Sequence, residues 1–107
     1  MLSLDAEWDV SEMPDGKVYR GRAEIRAYWE ELFSDAWDLL AMDLERIESA
    51  DNVVVALVRF RAVGRGSAVP VEVPAAWVVN LREGLVVRAK LTFDRRAALE
   101  AAGLRDG

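Results

Sequence analysis

A single amphipathic segment, followed only by strand-like sequence, sets the fold of this chain. Residues 18–37 read VYRGRAEIRAYWEELFSDAW, and the apolar positions recur at spacings of three and four. Such spacing places large side chains on one stripe of a helix. We therefore predict one helix that begins at Gly21 and runs to about Asp38, with its stripe facing a sheet or a ligand cavity.

The remaining sequence predicts an antiparallel meander. Asp5 to Val10 alternates apolar and acidic residues, and Lys17 to Arg20 can form a short strand. Four long strands are predicted after the helix, at residues 39–49, 52–64, 69–82 and 85–93. Hairpin turns separate them at Asp51-Asn52, at residues 64–67 and at Glu83-Gly84. A short closing helix is predicted between Asp94, its N-cap, and Gly103.

Composition narrows the possible functions. The 107 residues suit a single domain, residues 1–107, and no apolar window is long enough to span a membrane. The sequence has no cysteine and no histidine, so we expect no metal site, no cofactor and no Ser/His or Cys/His catalysis. A net charge of -5 argues against nucleic-acid binding. We expect a cytoplasmic protein, and the excess of arginine over lysine, 12 to 2, suggests a bacterial source.

Strand register decides which side chains share a face, because residues two apart in a strand point the same way. With a two-residue turn at Glu83-Gly84, Val78 pairs with Ala89. The resulting face is almost wholly apolar, and we assign it to the concave side, under the helix. The predicted ligand pocket on this side is lined by Trp8, Tyr28, Trp29, Phe33, Val58, Phe60, Ala76, Val78, Ala89, Leu91 and Phe93.

The opposite, outer face mixes aliphatic side chains, a tryptophan and arginines. This mixture is too apolar for a solvated sheet face and is typical of a protein–protein interface. We therefore predict a homodimer through the outer face. The predicted interface residues are Leu57, Arg59, Arg61, Trp77, Val79, Arg88 and Lys90.

Four stretches carry a resemblance to a known family: AEWDV (6–10), VYRGRAEIRAYWEELF (18–33), NVVVALVRFRAVGRGS (52–67) and VVRAKLTFDRRAALEAAGL (86–104). In this order they resemble the nuclear transport factor 2-like α+β cone, specifically its SnoaL-like polyketide-cyclase branch. The resemblance implies a curved antiparallel sheet wrapped around one long helix. Such members usually begin with one or two helices that cap the cone, whereas this sequence reaches AEWDV within a few residues. We expect that the mouth of the cone is open to solvent, that a partner subunit covers it, or that the sequence is a fragment of a longer one.

The resemblance also implies possible chemistry. Ketosteroid-isomerase-like members use a carboxylate near the end of the first strand as a proton shuttle, and the matching candidates are Asp9 and Glu12. Two further groups complete such sites, a tyrosine and a neutral carboxylic acid. The tyrosine normally comes from the first helix, which has no counterpart in this sequence. The position of the acid falls within Ala76–Val78, which offers no carboxyl group. As a base, Asp9 would need a pKa raised by an apolar cavity; otherwise it is a solvated strand residue.

Three functions stay open from the sequence. The first is the binding of a small apolar ligand in the cone. The second is an acid/base isomerase or polyketide-cyclase-type enzyme, in which Asp9 or Glu12 moves a proton and Tyr28 or Trp77 positions a carbonyl group. The third is a purely structural assembly module whose cone is filled by its own side chains.

Overall fold

The computed structural model describes residues 2–13, 16–32, 37–64, 66 and 69–103. It is an α+β fold in which one six-stranded sheet carries two helices. The elements are β1 Leu2–Asp9, β2 Val18–Arg20, α1 Gly21–Leu32, β3 Trp37–Ala50, β4 Val53–Gly64, β5 Pro70–Arg82, β6 Leu85–Thr92 and α2 Arg95–Ala101. The described residues contain no helix long and apolar enough to cross a membrane.

The sheet is curved and open, with the strand order β2-β1-β6-β5-β4-β3. β3 to β6 form the predicted meander of antiparallel hairpins. β1 pairs in parallel with β6, which brings the two ends of the sequence together in the middle of the sheet. The short strand β2 folds back antiparallel to β1 and leads directly into α1.

The amphipathic helix is shorter than predicted. α1 ends at Leu32 in the described residues, and Trp37 already pairs with Gly64 in the β3–β4 ladder. The prediction that the helix continues to Asp38 is therefore wrong. The spacing of Trp37 fits the helical stripe, but an aromatic residue also suits a strand, and cross-strand pairing decides between the two. Residues 33–36, including Phe33, lie outside the described residues.

A β-bulge at Val87 changes the predicted register of β5 and β6. Arg82 pairs with Leu85, as a two-residue turn requires, but Asn80 pairs with Arg88, which leaves Val87 without a residue opposite it. Every pair beyond the bulge is shifted by one residue. Such a shift turns the side chains of one strand to the face opposite the predicted one. The predicted pairing of Val78 with Ala89 is therefore wrong.

The shifted register gives each face of the sheet its own core. On the side of α1, here called the inner face, buried side chains from three strands and the turn after β1 pack together: Val10, Val58, Ala75, Trp77, Ala89 and Leu91. On the outer face, Ala98 and Leu99 of α2 pack against buried residues of β4 and β5: Val55, Leu57 and Ala76. The two helices thus lie on opposite faces.

The closing helix begins and ends where the sequence predicts. The Asp94 carboxylate accepts a hydrogen bond from the backbone N–H of Ala97 at 2.9 Å, which satisfies one of the free donors of the first turn. At the other end, the N–H of Gly103 donates to the carbonyl of Glu100 at 3.0 Å. Because α2 docks on β4 and β5, part of the outer face that we predicted to need a partner is covered by the chain itself.

Candidate functional site

Five aromatic rings form a continuous chain across the inner face. Tyr19 of β2 lies 4.7 Å from Tyr28 of α1, measured between ring centroids, and Tyr28 lies 5.7 Å from Trp29. Trp29 meets Trp8 of β1 edge-to-face at 5.4 Å, and Trp8 lies 4.9 Å from Trp77 of β5. These separations lie in the range that aromatic pairs prefer, and the two pairs that include Trp29 have the favoured edge-to-face geometry. We call these five residues the aromatic chain.

A small residue lets two strands that are not neighbours share an aromatic contact. β6 lies between β1 and β5, and the position opposite Trp8 in β6 is Ala89. Ala89 is only 1% exposed and leaves room above it, so the rings of Trp8 and Trp77 can meet over β6. A larger side chain at this position would separate the two indoles.

Two indole donors of this cluster, those of Trp8 and Trp77, have poor partners. The indole Nε1 of Trp8 is buried and has no hydrogen-bond partner in the part of the chain that the structure describes. The Nε1 of Trp77 donates to the thioether sulfur of Met42 at 3.2 Å, and a thioether is a weak acceptor. Burial and the neighbouring Tyr19 raise the pKa of Tyr28, so its hydroxyl keeps its proton at neutral pH.

Beyond the aromatic chain, the inner face continues over β3 to β5, and none of its side chains that the structure describes is charged. The register places these residues on it: Leu40, Met42, Leu44, Ile47, Ser49, Val54, Ala56, Val58, Phe60, Ala62, Val71, Val73, Ala75, Trp77 and Val79. Four of them are about half exposed, namely Met42 (46%), Leu44 (58%), Ile47 (58%) and Val71 (53%). An exposed apolar surface of this kind is a candidate binding site. We call this surface, with Trp8 and Trp29, the aromatic cup.

A second concavity lies beside the aromatic chain, between α1 and the start of β1. It is an open groove of about 460 Å³, lined by Leu2, Arg22, Ile25, Arg26 and Trp29. The guanidinium of Arg22 donates to the carbonyl of Leu2 at 2.7 and 3.1 Å, which fixes the N-terminal end of β1 against α1. Trp29 belongs to both the groove and the aromatic chain, so the two concavities share a wall.

Asp9 lies on the outer side of β1, away from the aromatic cup. Its carboxylate accepts hydrogen bonds from the hydroxyl and the N–H of Ser11, at 2.6 and 3.0 Å, and from Arg88 at 3.3 Å. Burial alone would raise the pKa of Asp9, but the Ser11 hydrogen bonds and the charges of Lys90 and Arg88 outweigh it, and the net pKa is lowered. The raised pKa that a general base would need is therefore not what the structure shows.

Glu12, the second carboxylate candidate, closes the turn after β1 onto the end of β6. Its carboxylate accepts from the hydroxyl of Thr92 at 2.9 Å and from the N–H of Phe93 at 3.4 Å, and Lys90 lies 3.7 Å away. Asp9 and Glu12 thus belong to one polar cluster on the outer side. The structure does not bring either of them next to the aromatic cup.

The predicted pocket residues divide between the two faces. Trp8, Tyr28, Val58, Phe60, Ala89 and Leu91 belong to the inner core or pack against it, and Trp29 joins them through the aromatic chain. Ala76 and Val78 were assigned to the pocket wrongly, since the Val87 bulge turns them to the outer face, where they belong to the α2 core. Phe93 follows β6 and is 39% exposed, and Phe33 lies outside the described residues.

The predicted interface residues also divide. Trp77 and Val79 were assigned to the outer face wrongly, because the same bulge turns them inward onto the inner core. Leu57 is on the outer face but is buried beneath α2. Four basic residues remain on the outer face and make ion pairs there: Arg59 with Glu45 and Glu72, Arg61 with Asp43, Arg88 with Glu7 and Asp9, and Lys90 with Glu12.

Trp77 is the residue whose face the sequence register assigned wrongly, although the enzyme alternative had already named it as a group that positions a carbonyl. Its inward orientation depends on a bulge in the run Leu85-Val86-Val87, which contains no glycine after the turn to mark an irregularity. The flanking alanines offer a weak signal, because small neighbours leave space for a large ring. Among the described residues, no group of three histidine, cysteine, aspartate or glutamate side chains is placed to hold a metal ion.

A curved, open sheet with a helix across its apolar concave face defines the nuclear transport factor 2-like class of α+β proteins, and solved structures of that class match this fold. An NTF2-like protein from Burkholderia thailandensis superposes with a TM-score of 0.78 at 20% identity, over 95% of this chain and 78% of that one. A protein of ketosteroid isomerase-like fold from Catenulispora acidiphila, in complex with trimethylamine, gives 0.73 at 17% identity over 96% and 77%.

A protein from Jannaschia described as a SnoaL-like polyketide cyclase gives a TM-score of 0.72 at 18% identity, over 98% of this chain and 75% of that one. Within the class, the model of the SnoaL-like domain matches residues 1–89, and the chain therefore belongs to the SnoaL-like domain family. No curated protein shows significant sequence similarity to it. At these identities the structural matches establish the fold alone.

Proposed function

We propose that this protein binds a small apolar molecule in the aromatic cup and that binding, rather than catalysis, is its role. The observation that carries the proposal is the apolar inner face of β3 to β5, on which Met42, Leu44, Ile47 and Val71 stay about half exposed beside the aromatic chain. Leaving so much adjacent apolar surface in water is unfavourable, at roughly 25 cal/mol per Å². A ligand that covers it gains this free energy on binding.

The aromatic chain supports the same proposal. Its rings are held by four different elements, β2, α1, β1 and β5, so the wall of the cup is fixed before any ligand arrives. A preformed wall lowers the entropy cost of binding. Met42 adds an adaptable, unbranched side chain at the rim, which suits a site that must close over a ligand.

Binding of the neutral apolar fluorophore N-phenyl-1-naphthylamine tests the proposal. We expect saturable fluorescence enhancement with energy transfer from the tryptophans. The substitution Met42→Asp places a charge in the cup at a side chain that is half exposed, so the fold should tolerate it. Because covering an unpaired carboxylate is costly, we expect its affinity to fall by at least about 10-fold, which corresponds to about 1.4 kcal/mol.

Leu4→Asp is the matched control. Leu4 is 77% exposed and belongs to neither core, so the same charge there should leave the affinity unchanged. If the fluorophore does not bind saturably, or if both variants weaken it equally, the cup is not the binding site. An absence of any binding would favour an assembly module.

We propose, in addition, that two copies associate through the outer face. Arg88 and Lys90 of β6 are not among the residues that pack with α2, and half-buried Val78, which packs against the α2 core, pairs with Lys90 in the β5–β6 ladder. Sedimentation equilibrium across a range of concentrations tests this, with Val78→Arg as the variant. A wild type that stays monomeric, or a V78R variant that still dimerises, would contradict it.

Three further expectations stay proposals that rest on composition and chain length. We propose a single domain spanning residues 1–107, a cytoplasmic location and a bacterial source. An acid/base role for Asp9 or Glu12 is the alternative function. It predicts that the variants Asp9→Asn and Glu12→Gln lose turnover of an enolisable ketone, and it would require a substrate to reach the outer polar cluster.

A further inference from the structure

Met42 links the aromatic chain to an edge of the sheet. β4 lies between β3 and β5 in the strand order, yet the indole Nε1 of Trp77 in β5 donates to the thioether sulfur of Met42 in β3 at 3.2 Å. Trp77 is only 7% exposed, whereas Met42 is 46% exposed. The contact therefore joins a buried donor to a sulfur atom that is carried by a half-exposed side chain.

Met42 is also the described methionine that an oxidant meets most easily. The sequence has three methionines and no cysteine, so thioethers are its only sulfur groups. Met13 is partly buried and packs against the inner core, and Met1 lies outside the described residues. β3 is an edge strand of the described sheet, so a small molecule approaches Met42 without crossing a neighbouring strand. Because a peroxide must reach the sulfur to oxidise it, exposure favours reaction at Met42.

We propose that Met42 is a site of reversible oxidation to the sulfoxide and that the indole N–H of Trp77 holds the product. The oxidant is a peroxide, and hydrogen peroxide is the simplest case. The sulfur lone pair attacks one peroxide oxygen, so an S–O bond forms as the O–O bond breaks. The sulfur is oxidised, and the second oxygen is reduced and leaves with both hydrogen atoms as water.

The position of Trp77 favours the oxidised form. A thioether is a weak acceptor, so the buried indole N–H is poorly satisfied before oxidation. The sulfoxide places a polar oxygen on the atom that this donor already faces. Because methionine is unbranched and has three rotatable bonds, the oxygen can turn towards the indole without a backbone change. The product gains a hydrogen bond that the thioether could not supply, and the protein stays folded.

Oxidation changes the aromatic cup where it is exposed. Met42 belongs to the half-exposed apolar side chains of this surface, together with Leu44, Ile47 and Val71. The sulfoxide introduces a polar, hydrated group among them and ties a previously adaptable side chain to Trp77. We therefore expect the oxidised cup to bind apolar molecules more weakly. This consequence rests on the proposed binding function, whereas the oxidation and the hydrogen bond do not.

The reaction is tested by treating the whole chain with hydrogen peroxide and digesting samples with trypsin over time. Cleavage after Arg26 and Arg46 releases residues 27–46, which contain Met42 and no other methionine. Mass spectrometry measures the gain of one oxygen atom, and fragmentation separates Met1 from Met13 in residues 1–17. We expect Met42 to be oxidised at least about 5-fold faster than Met13. Equal rates at the two methionines would overturn the proposal.

The role of Trp77 is measured from its indole N–H signal in ¹H–¹⁵N spectra. The signal is assigned from Trp77→Phe and, independently, from its shift in Met42→Leu, which removes the sulfur. We expect oxidation to move this proton downfield, because the sulfoxide oxygen is the stronger acceptor. Methionine sulfoxide reductases for both sulfoxide epimers should return it to its original position. A Trp77 signal that does not move, or that peroxide moves equally in M42L, would overturn the proposal.

The effect on the cup is measured with N-phenyl-1-naphthylamine. We expect the oxidised protein to bind it at least about 3-fold more weakly, and the reductases to restore the affinity. The affinity of M42L should not respond to peroxide. A sulfoxide that forms at Met42 without changing the wild-type affinity would overturn the regulation of the cup. A fluorophore that fails to bind the reduced protein would instead overturn the proposed function, and the oxidation site and its hydrogen bond would stand.

Discussion

Arg95, the first residue of α2, forms an ion pair with Glu45 of β3, fifty residues earlier in the sequence. The same guanidinium donates to the backbone carbonyls of Val58 in β4 and Ala75 in β5. One side chain thus ties the closing helix to three strands. Hydrogen bonds from Arg95 and then Arg59 lower the pKa of Glu45, which keeps the carboxylate charged. Glu45 lies at the register shift between Leu44 and Arg46.

Arg95→Met should weaken the docking of α2. Losing the charged donor leaves two carbonyls and Glu45 without this partner, and we expect the free energy of unfolding to fall by about 1–2 kcal/mol in urea denaturation. Arg96→Met is the matched control, because within the described part of the chain Arg96 forms an ion pair only with exposed Glu100 of the same helix. The control should change stability by less than about 0.5 kcal/mol. Equal effects of the two substitutions would contradict the proposed tie.

Asp9 should make the stability depend on pH in the acid range. Its pKa in the folded protein lies below its ordinary value of 3.8, so the unfolded chain takes up a proton more readily. The stabilisation is therefore present above the unfolded pKa and is lost as the pH falls through the folded pKa. Between about pH 5 and about pH 3, Asp9→Asn should lose less stability than the wild type.

Thermal unfolding at the two pH values measures this difference. Asp5→Asn is the control on the same strand, because Asp5 is exposed and accepts only from Ser3 among the hydrogen bonds of the described residues. Its pH dependence should match that of the wild type. A D9N variant that follows the wild-type curve would show that Asp9 is not held in its charged form by Ser11 and the basic residues.

Deleting Val87 should be far more damaging than changing it. Without the extra residue, β6 can keep either its turn at Glu83-Gly84 or the pairing of Trp77 with Leu91, but not both. Because a slip by one residue exchanges the two faces, we expect a loss of at least about 3 kcal/mol or of cooperative unfolding. Val87→Thr keeps the chain length and should cost no more than about 1 kcal/mol. A stable deletion variant with wild-type near-ultraviolet circular dichroism would refute the bulge.

Ala89→Leu should separate the two tryptophans that meet above it. The added side chain has no space in the inner core, and overpacking of this kind costs about 1–3 kcal/mol. We expect the near-ultraviolet circular dichroism from the Trp8–Trp77 pair to weaken together with the stability. Ala97→Leu, on the exposed side of α2, is the control and should stay within about 0.5 kcal/mol of the wild type. An unchanged spectrum for A89L would mean that Ala89 does not set this contact.

The sequence was sufficient for features that depend on neighbouring residues. Alternation and turn residues located β3 to β6 to within two residues, and Asp94 marked the start of α2. The end of α1 was not accessible in this way, because Trp37 obeys the helical spacing while its pairing with Gly64, across the sheet, places it in a strand.

The candidate site was only half predictable for the same reason. β4 and β6 were oriented correctly, so Val58, Phe60, Ala89 and Leu91 lie on the inner face as predicted. Val87, which has no residue opposite it in β5, lies between Ala89 and the turn, and it exchanges the two faces of β5 relative to the prediction. The surroundings of Asp9 are equally non-local, since its partner Arg88 is 79 residues away and enters through the parallel pairing of β1 with β6. Contacts at this separation leave no trace in local periodicity.

The bulge in β3 has a consequence for the behaviour of the protein at high concentration. β3 is one of the two edge strands of the described sheet and is 14 residues long, so one whole row of its backbone groups faces no neighbouring strand among the described residues. An uninterrupted edge of that length invites another chain to add a strand and begin a fibril. The irregularity at Glu45 breaks the hydrogen-bonding rhythm halfway along, and charged Asp43, Arg46 and Glu48 flank it. Glu45, which pairs with Arg95 of the closing helix, thereby also hinders the addition of strands from other molecules at this edge of the sheet.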